Sequence, residues 1–177
     1  GTFQVGIREN NWLGEGKSVS FDIEVDAESL SGTLAFLDPN YDFLGNSLDY
    51  SISSVQNDKP DQGYENSVIS AAIGTSFEQY KDVIASLGLS ASYDDLRTDD
   101  TASESMKKQR GTYNELAADY GFTFDKRNRS FMPTSGSIVS FGQSLPLFAD
   151  KSSVSNLFRA SNYKMLNEDI VGVSKIY

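Results

Sequence analysis

Period-two alternation constrains this chain more than any other feature. Val19, Phe21, Ile23 and Val25 fall on one side of a stretch whose other side carries Ser18, Ser20, Asp22, Glu24 and Asp26. Successive side chains of a strand point to opposite faces, so such a stretch shelters one face and wets the other. The pattern returns with Leu48, Tyr50 and Ile52 against Ser47, Asp49, Ser51 and Ser53, and with Ile69, Ala71 and Ile73 against Ser70, Ala72 and Gly74. Val83, Ala85, Leu87, Leu89, Ala91 and Tyr93 then oppose Ser86, Gly88, Ser90 and Ser92, with Ile84 on the polar side. Leu116, Ala118, Tyr120, Phe122 and Phe124 oppose Ala117, Asp119, Gly121, Thr123 and Asp125, and Val139 and Phe141 continue the series. The fold class that follows is all-β, an antiparallel meander of about ten strands. Strands are expected at 2–10, 17–27, 29–38, 46–57, 64–76, 82–94, 113–125, 136–146, 153–164 and 169–177, the ninth with an interrupted pattern because Leu157 and Phe158 fall on opposite faces.

Several of these strands reach ten residues or more. Globular strands are commonly about 5 to 6 residues long, whereas a strand crossing a bilayer at a tilt needs about 9 to 11. The connections alternate as well. Asn11–Gly16, Asp38–Gly45, Phe77–Lys81, Lys126–Ser135 and Asn167–Glu168 take one end of the meander. Ala27–Glu28, Asp58–Gly63, Asp95–Thr112 and Pro146–Ser152 take the other, and Asp95–Thr112 is the longest and most charged. Bacterial barrels have short periplasmic turns and longer outer loops, which assigns the second set outside. The polar face is rich in Ser, Gly, Thr and Asp and poor in the Lys and Glu that solvate and guard an exposed sheet, which suits a crowded, wet lumen. Val19, Phe21, Ile23, Val25, Leu87, Leu89, Tyr120 and Phe122 are then expected to face lipid, and Tyr93, Tyr113, Phe124, Phe131 and Tyr177 to form interfacial girdles. A soluble β-sandwich or lipocalin-like barrel, acting as a binding module, shows the same alternation and stays open at this point.

Composition narrows the function. No run approaches the roughly 18 to 20 apolar residues of a spanning helix. The chain carries 15 Lys+Arg against 25 Asp+Glu, net −10, which argues against nucleic acid as a partner because neutralising phosphates needs clustered cations. It has neither Cys nor His, so thiolate zinc sites, Ser-His-Asp triads and imidazole acid/base chemistry are excluded. The expectation is a protein that is not an enzyme, with no cofactor, catalytic residue or resident metal. Asp94, Asp95, Asp99 and Asp100 flank Arg97 in the longest connection; a solvated loop and a bound divalent ion are the two readings, and EF-hand spacing is not met. Asp22, Glu24, Asp49 and Asp119 on the polar face suit the lumen of a porin-like pore, a competing role. The chain opens on Gly1-Thr2-Phe3-Gln4-Val5 and closes mid-strand on Val173-Ser174-Lys175-Ile176-Tyr177, so it is expected to be a fragment.

One connection is unusually specific: Phe124-Asp125-Lys126-Arg127-Asn128-Arg129-Ser130-Phe131-Met132-Pro133-Thr134-Ser135-Gly136. Pro133 fixes φ, Gly136 permits positive φ, and Thr134 and Ser135 can bond the local backbone, so the segment reads as a rigid turn. Asp125, Arg127 and Arg129 are placed to form ion pairs. The segment resembles the "Y-D-x-R-(N/D)-x-x-F-x-P-T-x-G" turn of the BamA-type outer-membrane assembly factors, the bacterial surface antigen family, with Phe124 in place of the usual Tyr. The matching residues are Asp125, Arg127, Asn128, Arg129, Phe131, Pro133, Thr134 and Gly136. Asn11, Trp12, Leu13, Gly14 and Gly16 resemble the family's "N-(W/F/L)-L-G-x-G" turn. Asp38, Pro39 and Tyr41 resemble its "x-(D/N)-P-Y" turn, with Asn40 inserted.

The resemblance covers essentially the whole chain. It implies a bacterial outer-membrane protein: residues 1–177 as part of a sixteen-stranded transmembrane β-barrel, corresponding to the second through eleventh strands. The POTRA domains, first strand, closing strands and "V-R-G-(F/Y)" loop motif would lie elsewhere, so no lateral-gate residue can be named. It also implies the partners: outer-membrane lipids, client β-barrel proteins folded without covalent chemistry, and accessory assembly lipoproteins. A two-partner-type polypeptide secretion barrel of the same family is the alternative role.

Overall fold

A computed structural model describes residues 1–151, 153–167 and 170–177. Ten strands form one sheet: β1 (Phe3–Trp12), β2 (Lys17–Val25), β3 (Ser29–Asp38), β4 (Ser47–Lys59), β5 (Tyr64–Tyr80), β6 (Val83–Thr98), β7 (Gly111–Asp125), β8 (Gly136–Ala149), β9 (Ser155–Met165) and β10 (Val171–Ile176). Each is antiparallel to its neighbour in sequence, and the order is β1 through β10 without a crossover. The remaining elements among the described residues are a 3-10 turn at Pro60–Gln62 and one helical turn, α1 (Glu104–Lys107).

The expected strands are all present, with displaced ends. β5 runs on from 76 to Tyr80 at the turn end of its hairpin with β6, and β6 runs on from 94 to Thr98 at the open end. Phe77 pairs with Ala85 and Tyr80 with Val83, leaving Lys81 and Asp82 as the turn, while Tyr64–Ser67 pair with Thr98–Asp95. The β5 extension passes a register shift between Glu78 and Tyr80, and the β6 extension puts Asp95 and Arg97 on the otherwise apolar face with Leu96 opposite, so alternation reveals neither. The strand expected to stop at 146 continues through Pro146 to Ala149. Pro146 lies where the β7–β8 register shifts between Leu116 and Ala117, a bulge that tolerates a residue without an N–H. The connection at Asn167–Glu168, the start of the strand expected from 169 and the end of Pro146–Ser152 reach Ser152, Glu168 and Asp169, which lie outside the described residues.

Register confirms the two faces. Ile7, Phe21, Leu34, Ile52, Ala71, Ala91, Leu116 and Phe148 form one continuous cross-strand row, and Val19, Phe36, Tyr50, Ile73, Leu89, Ala118 and Leu145 the next. Within β9, Phe158 joins this apolar face opposite Phe141, whereas Leu157 sits opposite Gly142 on the polar face. Among the described residues nothing covers the apolar face: Phe21 is 43 % exposed and Leu87 53 %. Among the described residues only Ala85, Ala102 and Ala117 are buried apolar side chains, so this single layer has no interior core. The opposite face is concave, holding a hollow of about 460 Å³ lined by residues that include Asp49, Gly74, Gly88, Asp119, Ser140 and Arg159.

Candidate functional site

The β7–β8 turn is the most highly organised connection. Asp125 ends β7 and accepts from Arg127 in a fork, Nε to Oδ1 at 2.9 Å and Nη2 to Oδ2 at 2.6 Å, and Oδ1 also takes the Arg127 N–H at 3.1 Å. Planar guanidinium and planar carboxylate match here edge to edge. Arg127 also donates to the Ser130 carbonyl at 3.3 Å. Asn128 closes the wide part of the turn. Its Oδ1 accepts the N–H groups of Thr134 and Ser135 at 3.1 and 3.2 Å, and its Nδ2 donates to Thr134 Oγ1 at 2.8 Å. Gly136 has φ 97°, and a Cβ there would lie 2.8 Å from Arg127 Cα and collide with the Lys126 carbonyl. The sequence alone did not indicate the clip made by Asn128. The expected Arg129 ion pair is corrected: Arg129 Nε donates instead to the Met132 carbonyl at 2.7 Å, three residues along the same loop.

The two other motif turns lie at the same end of the sheet. Asn11 Oδ1 accepts the Gly16 N–H at 2.7 Å, and the Gly14 N–H reaches the Asn11 carbonyl at 2.9 Å across Trp12 and Leu13. In the β3–β4 turn, Asp38 Oδ1 accepts the N–H of Asn40 at 3.1 Å, across Pro39, and Tyr41 N–H bonds the Asn46 carbonyl at 3.1 Å. The inserted Asn40 is integrated, since its Oδ1 accepts the Gly45 N–H at 2.6 Å. Lys17 Nζ lies 3.8 Å from Asp38 Oδ2, joining these two turns.

The opposite end is tied loop to loop. Lys59 pairs with Glu28, and the Asp58 N–H donates to the Glu28 carbonyl at 2.8 Å. Asp99 N–H donates to the Gly63 carbonyl at 2.9 Å, while Asp99 Oδ1 accepts from Thr101 Oγ1 at 2.6 Å and Thr101 N–H at 2.7 Å. Those Thr101 hydrogen bonds hold the Asp99 carboxyl below its ordinary range. The remaining acids of this loop are dispersed rather than convergent: Asp94 accepts from Asn66 Nδ2 at 2.6 Å and Asp95 pairs with Arg97 at 2.8 Å. No group of three or more acids is arranged to hold a metal ion among the described residues.

All eight residues expected to face lipid share the apolar face. Val19, Phe21, Ile23 and Val25 lie on β2; Leu87 pairs with Tyr120 and Ala85 with Phe122 across β6 and β7 in phase with the Leu89–Ala118 row. Along β5 this face runs from Ile69 to Tyr80, a rise of about 28 Å at about 3.4 Å per residue and about 40° of tilt, against an apolar band of about 25 Å in membrane barrels. Beyond it the same face turns polar with Glu65, Asp95 and Arg97. Of the expected girdle, Tyr93 and Phe124 are on this face near opposite ends. Tyr113 is a correction: it pairs with Asp94 on the polar face, donates to the Gln109 carbonyl at 2.5 Å and lies under Lys151 Nζ, 3.7 Å from the ring centre. The polar face carries a repeated pairing of Asp with Gly, Asp22 opposite Gly6, Asp49 opposite Gly74 and Asp119 opposite Gly88. Gly6 and Gly74 leave room for the facing carboxylate, which a Cβ would meet at 2.5 and 3.0 Å, whereas a Cβ on Gly88 would meet the Ile73 carbonyl at 3.0 Å; the pairing emerges only once the register is known.

Residues 11–176 match the Omp85 superfamily domain. A search of curated proteins finds no significant match. Among solved structures, the crystal structure of BamA from Haemophilus ducreyi lacking POTRA domains 1-3 shares the fold, with a TM-score of 0.76 and 21 % sequence identity. The alignment covers 95 % of this chain and 35 % of that one, so this chain spans about a third of its length.

Proposed function

The chain belongs to the Omp85 superfamily, and from that premise we propose that its sheet is a stretch of wall in a sixteen-stranded outer-membrane β-barrel. The intact protein then folds and inserts client β-barrel proteins without covalent chemistry. One observation carries the membrane reading: a ten-stranded sheet presents an apolar face that none of the described residues covers, while its polar face lines a hollow. In water such a face would associate or demand a second layer, whereas acyl chains satisfy it directly.

The mechanism is one of backbone pairing. In hydrocarbon every N–H and C=O must be bonded, and a lone client strand leaves them unpaired at several kcal/mol each. A barrel whose seam opens offers a strand edge on which a client strand pairs before it leaves water. The residues in hand supply wall, lumen lining and loops; partners are the client strands, the surrounding lipids and accessory lipoproteins at the periplasmic end. The test is to place the intact protein in liposomes and add a urea-unfolded client barrel. Faster appearance of the folded, heat-resistant client in the bilayer than in empty liposomes is expected. Passage of the polypeptide to the far side instead would assign the protein to the secretion branch, and recovery of the intact protein in the soluble fraction without detergent would defeat both.

A further inference from the structure

The two ends of the sheet differ in the side chains and the backbone of their turns. Turn tips at the motif end carry large apolar side chains: Leu13 is 80 % exposed, Phe43 89 %, Leu44 82 % and Phe131 80 %, with Met132 and Leu166 also exposed. At the other end the tips are Ala27–Glu28, Pro60–Gln62 and the charged 99–110 loop, with Val154 the exception. The backbone is equally uneven. Among the described residues, the non-glycine residues with positive φ are Leu13 (55°), Phe43 (60°), Met132 (48°) and Asp82 (66°), all in motif-end turns. Left-handed backbone is unfavourable for bulky L-residues, and glycine or asparagine would occupy these positions without strain. Three separate turns nevertheless use it to hold a large apolar side chain at the tip, and strain of this kind persists where the surroundings return more than it costs.

We propose that these tips are seated in the headgroup and upper acyl layer of the periplasmic leaflet, so that the turns anchor the barrel in lipid rather than merely connecting strands in water. The proposal rests on the membrane-wall reading above. Two features select lipid over a protein partner. The tips are distributed from the β1–β2 turn to the β9–β10 turn, an arc of about 38 Å at about 4.8 Å per strand, whereas a protein would cover one contiguous patch. The same turns also carry Lys81, Lys126 and Arg129, cations suited to phosphate headgroups.

The test uses the intact protein in phosphatidylethanolamine–phosphatidylglycerol vesicles. Leu13→Cys, Phe43→Cys and Met132→Cys each carry an environment-sensitive fluorophore, with Leu87→Cys as the deep reference and Asp61→Cys as the water reference. Nitroxide lipids labelled near the headgroup should quench the three tip probes, and aqueous iodide should quench them far less than Asp61→Cys. Iodide quenching equal to the water reference would overturn the proposal by placing the tips in water. Protection from both quenchers would overturn it in favour of a covering protein. Loss of lipid quenching at Leu87→Cys would instead defeat the membrane-wall reading itself. Glycine substitution gives an independent answer: Leu13→Gly and Phe43→Gly relieve the backbone, yet should lower the urea midpoint of the bilayer-embedded protein. A rise, or no change, sinks the anchor.

Discussion

Arg127 and Asn128 show how much order single side chains impose on the connection Lys126–Ser135. Arg127→Lys retains the charge but loses the fork, and should cost about 1 kcal/mol of stability, read from urea midpoints in bilayers. Asn128→Ala strands the Thr134 and Ser135 N–H groups and should cost about 1 to 2 kcal/mol, with Asn128→Asp, which keeps the acceptor, recovering part. At the other end, Asp99 makes a pH prediction. Its carboxyl titrates lower when folded than when unfolded, so the loop contact it supports is complete above the ordinary carboxylate value of about 3.9 and is lost as pH falls through the folded value. Hydrogen-exchange protection of the Thr101 amide should therefore hold from neutral pH into that range and then collapse, and Asp99→Asn should remove the dependence. These turns were legible as turns because Pro133, Gly136, Asn11 and Asp38 each have a distinct backbone role. Which donor met which acceptor was not, since Arg127 and Arg129 are equivalent in sequence and differ only in the loop's path.

The strands separate what alternation encodes from what it cannot. Phe21→Arg and Leu87→Arg, on the apolar face, should cost about 2 to 4 kcal/mol if near the bilayer midplane, and Ser20→Arg and Ser90→Arg, on the lumen face, distinctly less. Equal tolerance in lipid-folding assays would refute the face assignment. Gly121 and Gly142 are opposite one another in β7 and β8, yet they are not equivalent. A Cβ on Gly121 would meet the Phe141 carbonyl at 3.0 Å and Ser86 Oγ at 2.9 Å, whereas one on Gly142 would have only the Tyr120 carbonyl at 3.9 Å. Gly121→Ala should thus be destabilising and Gly142→Ala neutral or mildly stabilising, as thermal melts in bilayers would show. The strand cores were readable because one face had to be apolar. The extensions of β5 and β6 were not, because the first passes a bulge between Glu78 and Tyr80 and the second inverts the alternation with Asp95 and Arg97 on the otherwise apolar face, and the passage of β8 through Pro146 depends on a bulge that no local pattern announces.

The whole sheet has two open edges, β1 and β10, each a row of unpaired backbone groups. These residues expressed alone are therefore not expected to give a monodisperse, heat-resistant monomer, and recovering one in detergent by size-exclusion and unheated gel analysis would contradict the larger-barrel reading. Fold class was the most legible property of all. The uncrossed order of the meander has a kinetic corollary. Every strand finds its partner in the strand synthesised just before it, so loop closure costs little at each step and assembly can advance hairpin by hairpin. A chain ordered this way never has to hold a solitary strand open while it searches for a distant mate, so pairing within the sheet should not be its slowest event.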